Sequence, residues 1–247
     1  MSAQSIASLV LGIEAATPIG GVALADDAGR LLAHTWRVRQ GPISVSLLAD
    51  LDALFHDEEL KRDRVRAIGV SLGPGAFTGL RVGLALAKTL ARGWGAALYG
   101  FSTLELAARR WPVAGDAVAV LLDARRGELY GGLYRAAAGR PQPLRPDSVE
   151  PIEALLDALD ALGEPLVLAG DGAWKHREAI DRRLGGRARW APPEIGSPGA
   201  DAAAISAAEC LRAGAQPLEP LQVAPLYLRP SDAEKRHNVH LNAPWSV

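Results

Sequence analysis

Ser71 to Lys88 reads SLGPGAFTGLRVGLALAK, and the reading of this stretch decides the fold. A β-branched run, Val65 to Ser71, enters a loop holding Gly73, Pro74 and Gly75, and an apolar helix leaves it from about Thr78 to Arg92. Glycine reaches backbone conformations closed to other residues, and Thr78 is a good candidate N-cap. A strand, a glycine loop and a helix in this order gather free backbone N–H groups at one point, which suits an anion. Gly73, Gly75, Thr78 and Gly79 are therefore the candidate phosphate-binding residues. The same glycines also fit a tight strand-to-helix turn with no ligand. No lysine stands at the phosphate-loop position, so the motif is not of the Walker type.

The helix has its own pattern. Arg81, Lys88 and Arg92 share a narrow stripe with Ala85, while Leu80, Val82, Leu84, Leu86 and Leu90 make the remainder apolar. That apolar arc is wider than an ordinary surface helix needs. Gly79, Gly83, Ala87 and Ala91 recur every fourth residue and form a ridge that another helix could approach closely. Two readings stand: a docking face, or a helix buried inside its own lobe. On the docking reading, a bulky charge at Gly83 or Ala87 removes partner binding and leaves the fold intact.

Working outward, Leu9 to Ile13, Gly20 to Ala25 and Leu31 to Val38 predict a three-stranded meander, with a turn at Asp26-Asp27-Ala28-Gly29. Gly41-Pro42 breaks it. Ile43 to Phe55 places Ile43, Leu47, Leu51 and Leu54 on one helical face. A strand at Ala97 to Phe101 leads to Ser102-Thr103-Leu104-Glu105, a capping-box pattern. The second half repeats the order. Ala117 to Leu122 and Leu129 to Tyr134 flank the turn DARRGE. A helix at about Ile152 to Leu162 follows, then the strand Leu166 to Ala169, the loop Gly170-Asp171-Gly172 and a helix over Lys175 to Leu184. This order predicts an α/β chain of the two-lobed actin-like, ribonuclease-H-like (ASKHA) class with duplicated meander-plus-helix lobes. The expected division is a first lobe over 1–105 and a second over 106–199. A helix (Ala200 to Ala213) and a strand (Leu226 to Arg229) then pack back over 200–229, and a polar tail fills 230–247.

The 247 residues are 49% apolar with a formal net charge of -1, which argues against bulk electrostatic binding of nucleic acid. The single cysteine, Cys210, excludes an intrachain disulfide, and nothing nearby in sequence lowers its pKa. No apolar run reaches the roughly 18 residues of a membrane span. The N-terminal run lacks the basic residues of a signal peptide, so a cytoplasmic protein without a membrane contact is expected. His237 and His240 have helical ligand spacing but sit in the polar tail. Asp123 and Glu128 flank two arginines in DARRGELY, which suits either a phosphate or nucleic-acid contact or a solvated turn with ion pairs worth under about 1 kcal/mol each. Asp123 holds in the second half the place Glu14 holds in the first. Lys61-Arg62-Asp63-Arg64-Val65-Arg66 is read as a solvated connection.

Several segments together carry a resemblance: GPGAFTGLRVG (Gly73 to Gly83), LGIEAAT (Leu11 to Thr17) with GGVAL after it, GFSTLE (Gly100 to Glu105), DARRGELY (Asp123 to Tyr130) and PLYLR (Pro225 to Arg229). The chain resembles the TsaB (YeaZ) family. The resemblance implies a non-catalytic subunit that dimerises with the catalytic paralogue TsaD, is joined by the ATPase TsaE, and pairs with itself when alone. It implies threonylcarbamoyl transfer by the complex to the adenosine next to the anticodon in tRNAs reading ANN codons, with tRNA met only through the complex. It also implies that the two N-lobe helices form the interface, here through Leu47, Leu51, Leu54, Leu80, Gly83, Leu84, Ala87, Leu90 and Ala91. No catalytic residue, metal or required cofactor follows, and nucleotide binding at the glycine loop stays open. Two departures stand out. The family's Asp-Thr is Glu14-Ala15 here, and no histidine lies between His34 and His56, where a TsaD-type metal site needs a pair four residues apart. The competing reading is an ATP-dependent phosphotransferase using the loops at Gly73 and Gly170. A metallopeptidase lacks its histidine pair.

Overall fold

The computed structural model describes residues 8–38, 43–56 and 60–229. The break at Gly41-Pro42 and the tail with His237 and His240 lie outside the described residues. Along the chain the elements are β1 (Leu9–Glu14), β2 (Ile19–Asp26), β3 (Leu31–His34), β4 (Arg37–Val38), α1 (Ile43–Leu54), β5 (Val65–Gly73), α2 (Phe77–Trp94) and β6 (Ala97–Ser102). They continue with α3 (Thr103–Arg109), β7 (Ala117–Asp123), β8 (Glu128–Arg135), β9 (Gln142–Pro151), α4 (Ile152–Asp160), β10 (Leu166–Ala169), α5 (Asp171–Lys175), α6 (Arg177–Leu184), β11 (Ala188–Trp190), α7 (Pro193–Gly196) and α8 (Ala200–Arg212).

The chain divides into two units. The first takes residues Met1–Leu72, Thr78–Phe101 and Pro198–Ala224; the second takes Gly73–Phe77, Ser102–Ser197 and Pro225–Val247. In the first unit the sheet order is β3-β2-β1-β5-β6, with β4 attached to β2. Strands β1 and β2 are antiparallel, and β1 and β5 are parallel. In the second the order is β11-β10-β7-β8-β9. Read from the far side this is the same succession: a meander β7-β8-β9, antiparallel throughout, then β10 added parallel to β7. A mixed five-strand path with the first strand at its centre is the ribonuclease-H-like pattern. Its occurrence in both units makes this an α/β protein of the duplicated actin-like class.

Residue size along each strand decides which helix lies on which face. Successive strand residues point to opposite sides. In the first unit Leu11, Ile13, Val22, Leu24, Ile68 and Val70 join Leu47, Leu51, Leu54, Leu84, Ala87 and Ala91 in one buried cluster, so the large side chains meet α1 and α2. The residues between them are small. A Cβ on Gly12 would stand 1.9 Å from the Ala200 carbonyl oxygen, and one on Gly69 would stand 2.2 Å from that of Ala203. Ala23 and Ala25 cluster with Ala200 and Ala204 on that same side. The alanine-rich α8 thus lies almost backbone to backbone on the second face of the sheet. Residues 215–224 then run beside β6: Leu218 N–H donates to the Leu98 carbonyl at 2.8 Å, and Lys88 Nζ donates to the Val223 carbonyl at 2.8 Å.

The second unit repeats the scheme. Ala119, Leu121, Leu166 and Leu168 pack with Leu155, Leu159, Ile180 and Leu184 of α4 and α6. Val118, Val120 and Val167 pack with Leu104, Ala107 and Ala108 of α3 on the other face. Ser102 caps α3 as its sequence predicts, its Oγ accepting from the N–H groups of Leu104 (3.2 Å) and Glu105 (3.4 Å). The Glu105 carboxylate of the capping-box pattern is held by Nε and Nη2 of Arg140, at 2.8 and 3.0 Å.

Four expectations change. Helix α2 begins at Phe77, so Thr78 lies in its first turn and is not the N-cap. The strand expected over Leu31 to Val38 is two short ones, β3 and β4. Strand β9 arises where the sequence suggested nothing, since Pro143, Pro146 and Pro151 mask it; proline is tolerated on an edge strand. The strand expected at Leu226 to Arg229 does not form, and those residues are irregular.

Candidate functional site

Two surfaces gather the residues that the sequence singles out. The first is the helix pair of the first unit. The end of α1 meets the end of α2 where Phe55 and Trp94 stack edge to face with ring centres 6.0 Å apart. At the opposite ends Ile43 Cδ1 lies 3.4 Å from a Cβ built on Gly79. The helices therefore run side by side in the same direction. Of the residues expected to face a partner, Leu47, Leu51, Leu54, Leu80, Gly83, Leu84, Ala87 and Ala91 are buried and Leu90 is half-buried. The ridge of small residues faces strand β1 and its end. A Cβ on Gly79 would meet the Ala15 carbonyl oxygen at 2.0 Å, and one on Gly83 would meet Ala15 Cβ at 2.6 Å. The buried positions are unavailable to a partner, which corrects the residue-level expectation for all of them but Leu90.

What the helices leave outside is different. Val45 and Leu48 are 67% and 56% exposed, three residues apart on one side of α1. Arg81, Ala85, Thr89 and Arg92 form the exposed row of α2. The sequence reading missed Val45 and Leu48 because it tracked the inner face; their spacing was the signal. Helix α1 is apolar on both sides. Its buried Asp50 is met by Arg37 of β4 at 2.5 Å.

Gly79, Gly170 and Gly172 have packing explanations. Gly79 admits the Ala15 carbonyl, as above, while Gly73 and Gly75 belong to the second unit. Gly73 has φ 125, the left-handed region that favours glycine. Gly170, at φ 96, and Gly172 both back onto β7; Cβ atoms there would approach the Leu121 carbonyl oxygen to 2.2 and 2.9 Å. Gly170-Asp171-Gly172 is therefore the entry to α5 and not an open loop. Glu14 is fully buried, and its Oε1 accepts from the Ala16 N–H at 2.6 Å.

The second surface lies in the second unit, where three of the quoted segments meet. Phe77 of the glycine loop stacks on Tyr227 with ring centres 5.2 Å apart. Two residues on, Arg229 donates to the Ala124 carbonyl at 3.0 Å and lies 3.3 Å from Glu128 in the β7–β8 turn. Asp123 at the base of that turn is bonded to Lys175 at 2.8 Å and accepts from the Arg125 N–H at 2.9 Å. Burial pushes its carboxyl upward, but Lys175 and the Arg125 N–H outweigh burial and hold it below the usual range. Asp171 caps the arrangement from α5, its Oδ1 accepting from the Asp123 N–H at 3.1 Å.

A buried network sits behind α3. Asp147 accepts from the Tyr134 hydroxyl and from Ser102 Oγ, the latter at 2.5 Å. Burial drives the Asp147 carboxyl above the usual range although both hydroxyls favour its charged form. Burial, followed by the neighbouring Asp147 charge, drives the Tyr134 phenol far upward. Among the described residues, no cluster of three or more His, Cys, Asp or Glu side chains is arranged to hold a metal, and no helix is long and apolar enough to cross a membrane.

The family model described as "TsaD: tRNA N6-adenosine threonylcarbamoyltransferase" matches residues 43–237, well over half of the chain. The chain belongs to the TsaD family. Within the TsaD family its likeness is to TsaB (YeaZ), as the sequence motifs indicate. The Bacillus subtilis (strain 168) protein named tRNA threonylcarbamoyladenosine biosynthesis protein TsaB is 30% identical over 142 residues, which is 58% of this chain and 62% of that protein. The protein of the same name from Escherichia coli (strain K12) is 31% identical over 128 residues, 51% of this chain and 54% of that protein. The chain thus spans less than two thirds of these relatives' lengths. The solved structure described as YeaZ from Pseudomonas aeruginosa superposes with a TM-score of 0.75 at 27% identity, covering 90% of this chain and 100% of the other.

Proposed function

We propose that the chain is a non-catalytic subunit for threonylcarbamoyladenosine synthesis on tRNA, working in the cytoplasm. It pairs with a TsaD-type catalytic paralogue through the outer faces of α1 and α2, is joined by the ATPase TsaE, and forms a homodimer when alone. Membership of the TsaD family and likeness to proteins named for tRNA threonylcarbamoyladenosine biosynthesis support the pathway. The observation that carries the scaffold role is the two-sided α1: its inner leucines fill the core, yet Val45 and Leu48 remain in water. Adjacent exposed apolar side chains on one helix face mark a surface that is covered in an assembly.

The test is co-purification of the chain with its TsaD paralogue, alongside light scattering of the chain alone. Val45→Asp with Leu48→Asp should abolish both associations and leave the melting temperature within a few degrees of the parent, because both side chains are already solvated. Unchanged recovery of the paralogue by this double variant would reject the interface.

A further inference from the structure

Helices α2 and α8 both begin at the end of the first unit's sheet where β1 finishes. Helix α2 follows β5, which is parallel to β1. Helix α8 runs the opposite way to β1. Its first residue, Ala200, lies on Gly12, and its last, Arg212, donates to the Asp27 carbonyl in the β2–β3 turn, beside the Leu9 end of the strand. The first N–H groups of a helix have no partner within it and form the positive pole of its dipole. Both starts are met by residues at the end of β1. In α2 the Ala15 carbonyl oxygen enters the first turn, 2.0 Å from where a Cβ on Gly79 would stand. In α8 the N-cap, Gly199, has no side chain to offer. Glu14 lies two residues beyond Gly12, on the same face of the strand and toward that start.

The Glu14 side chain is fully buried, and its Oε1 accepts from the Ala16 N–H, an amide of the β1–β2 turn. Ser71 stands level with it on β5, because Gly12 pairs with Gly69 and Ile13 with Val70. Ser71 also shares the face of Gly69, which packs on Ala203 of α8. Its hydroxyl is buried, at 2% exposure, with no hydrogen-bond partner among the described residues. A turn amide, a buried hydroxyl and a helix start thus lie together at one end of one sheet face. These are the groups that hold phosphate oxygens in other proteins, and here a carboxylate of the chain itself stands among them.

We propose that Glu14 is a built-in anion: its carboxylate takes the seat that a phosphate would occupy at the start of α8, and so closes the first unit to nucleotide phosphates. The phosphotransferase reading loses its seat in that unit, whatever partner the chain has. A metal held by Glu14 is disfavoured, since a cation would stand at the positive pole of α8. Among the described residues, no cluster of three His, Cys, Asp or Glu side chains could hold it.

The experiment is thermal melting of the full chain in sodium formate against sodium chloride at equal ionic strength. Glu14→Ala should melt about 3–10 °C below the parent in chloride, because it leaves buried donors without their acceptor. Formate at about 100 mM should return about 3 °C or more to this variant and nothing to the parent, whose seat is full. Glu14→Gln, which fills the space with an amide, should be as insensitive to formate as the parent. An alanine variant that responds to formate no more than the parent overturns the proposal. So does an equal response from the glutamine variant, which would place the formate elsewhere. If Glu14→Ala does not fold, calorimetric titration of the parent and Glu14→Gln with Mg-ATP decides. Heat from neither supports the built-in anion. Uptake by the parent that the glutamine variant loses overturns it, since Glu14 would then hold the nucleotide's metal.

Discussion

Gly83 shows how a single missing carbon sets the fold. A side chain there would drive into Ala15 at 2.6 Å, with no flexible group to yield. Gly83→Leu should therefore cost about 1–3 kcal/mol in urea unfolding, whether or not a partner is present, in place of the selective loss of pairing that the sequence pattern suggested. Asp147 offers a second test. Its carboxyl is raised in the folded chain, chiefly by burial, so the folded state binds the proton more tightly than the unfolded one. That contribution is complete below about pH 4, the ordinary aspartate value, and is lost as the pH rises through the raised value. Asp147→Asn removes the titration, so the stability of variant minus parent should grow as pH goes from about 4 to 7. A difference that stays flat with pH would refute the assignment. The contact of Gly83 with Ala15 joins residues far apart in sequence, and no local pattern reports it. The alternation Leu11-Gly12-Ile13 and Ile68-Gly69-Val70, in contrast, was open to view.

At the scale of elements, helices α1 and α2 were legible to within a residue or two, because their apolar spacing runs through several turns. Their inner and outer sides were not. Burial on two sides looks the same in sequence whether the cover is a sheet or a second protein, and here the sheet takes the glycine ridge. Strand β9 was hidden by its prolines, and Tyr227 with its neighbours looked like a strand but serves as a brace on Phe77 and the β7–β8 turn. The start of α3 was read correctly from Ser102. Its hydroxyl both caps the helix and donates to Asp147. Ser102→Ala should cost about 1–2 kcal/mol, at or above an ordinary cap, and a loss below 0.5 kcal/mol would show the network to be idle.

For the whole molecule, the repeated order of meander, helix, strand, glycine turn and helix foretold two units of one topology, and both sheets have it. The division of the chain was harder to foresee. The expected first segment, 1–105, omits α8, which completes the first unit from the far end of the sequence. Local signals place a helix at Ala200 but cannot say which sheet its alanines will reach. Gly12 and Gly69 hold that information only jointly with Ala200 and Ala203.

This distribution of α8 has a bearing on how the protein is made. The strands of the first unit leave the ribosome early, yet the helix that covers Gly12, Ala23, Ala25 and Gly69 follows roughly a hundred residues later. At about 5–20 residues per second, the nascent first sheet waits on the order of 5–20 s with one face bare. In that interval the small-residue face of the first sheet has no cover from α8, which is complete only once residue 212 has been made.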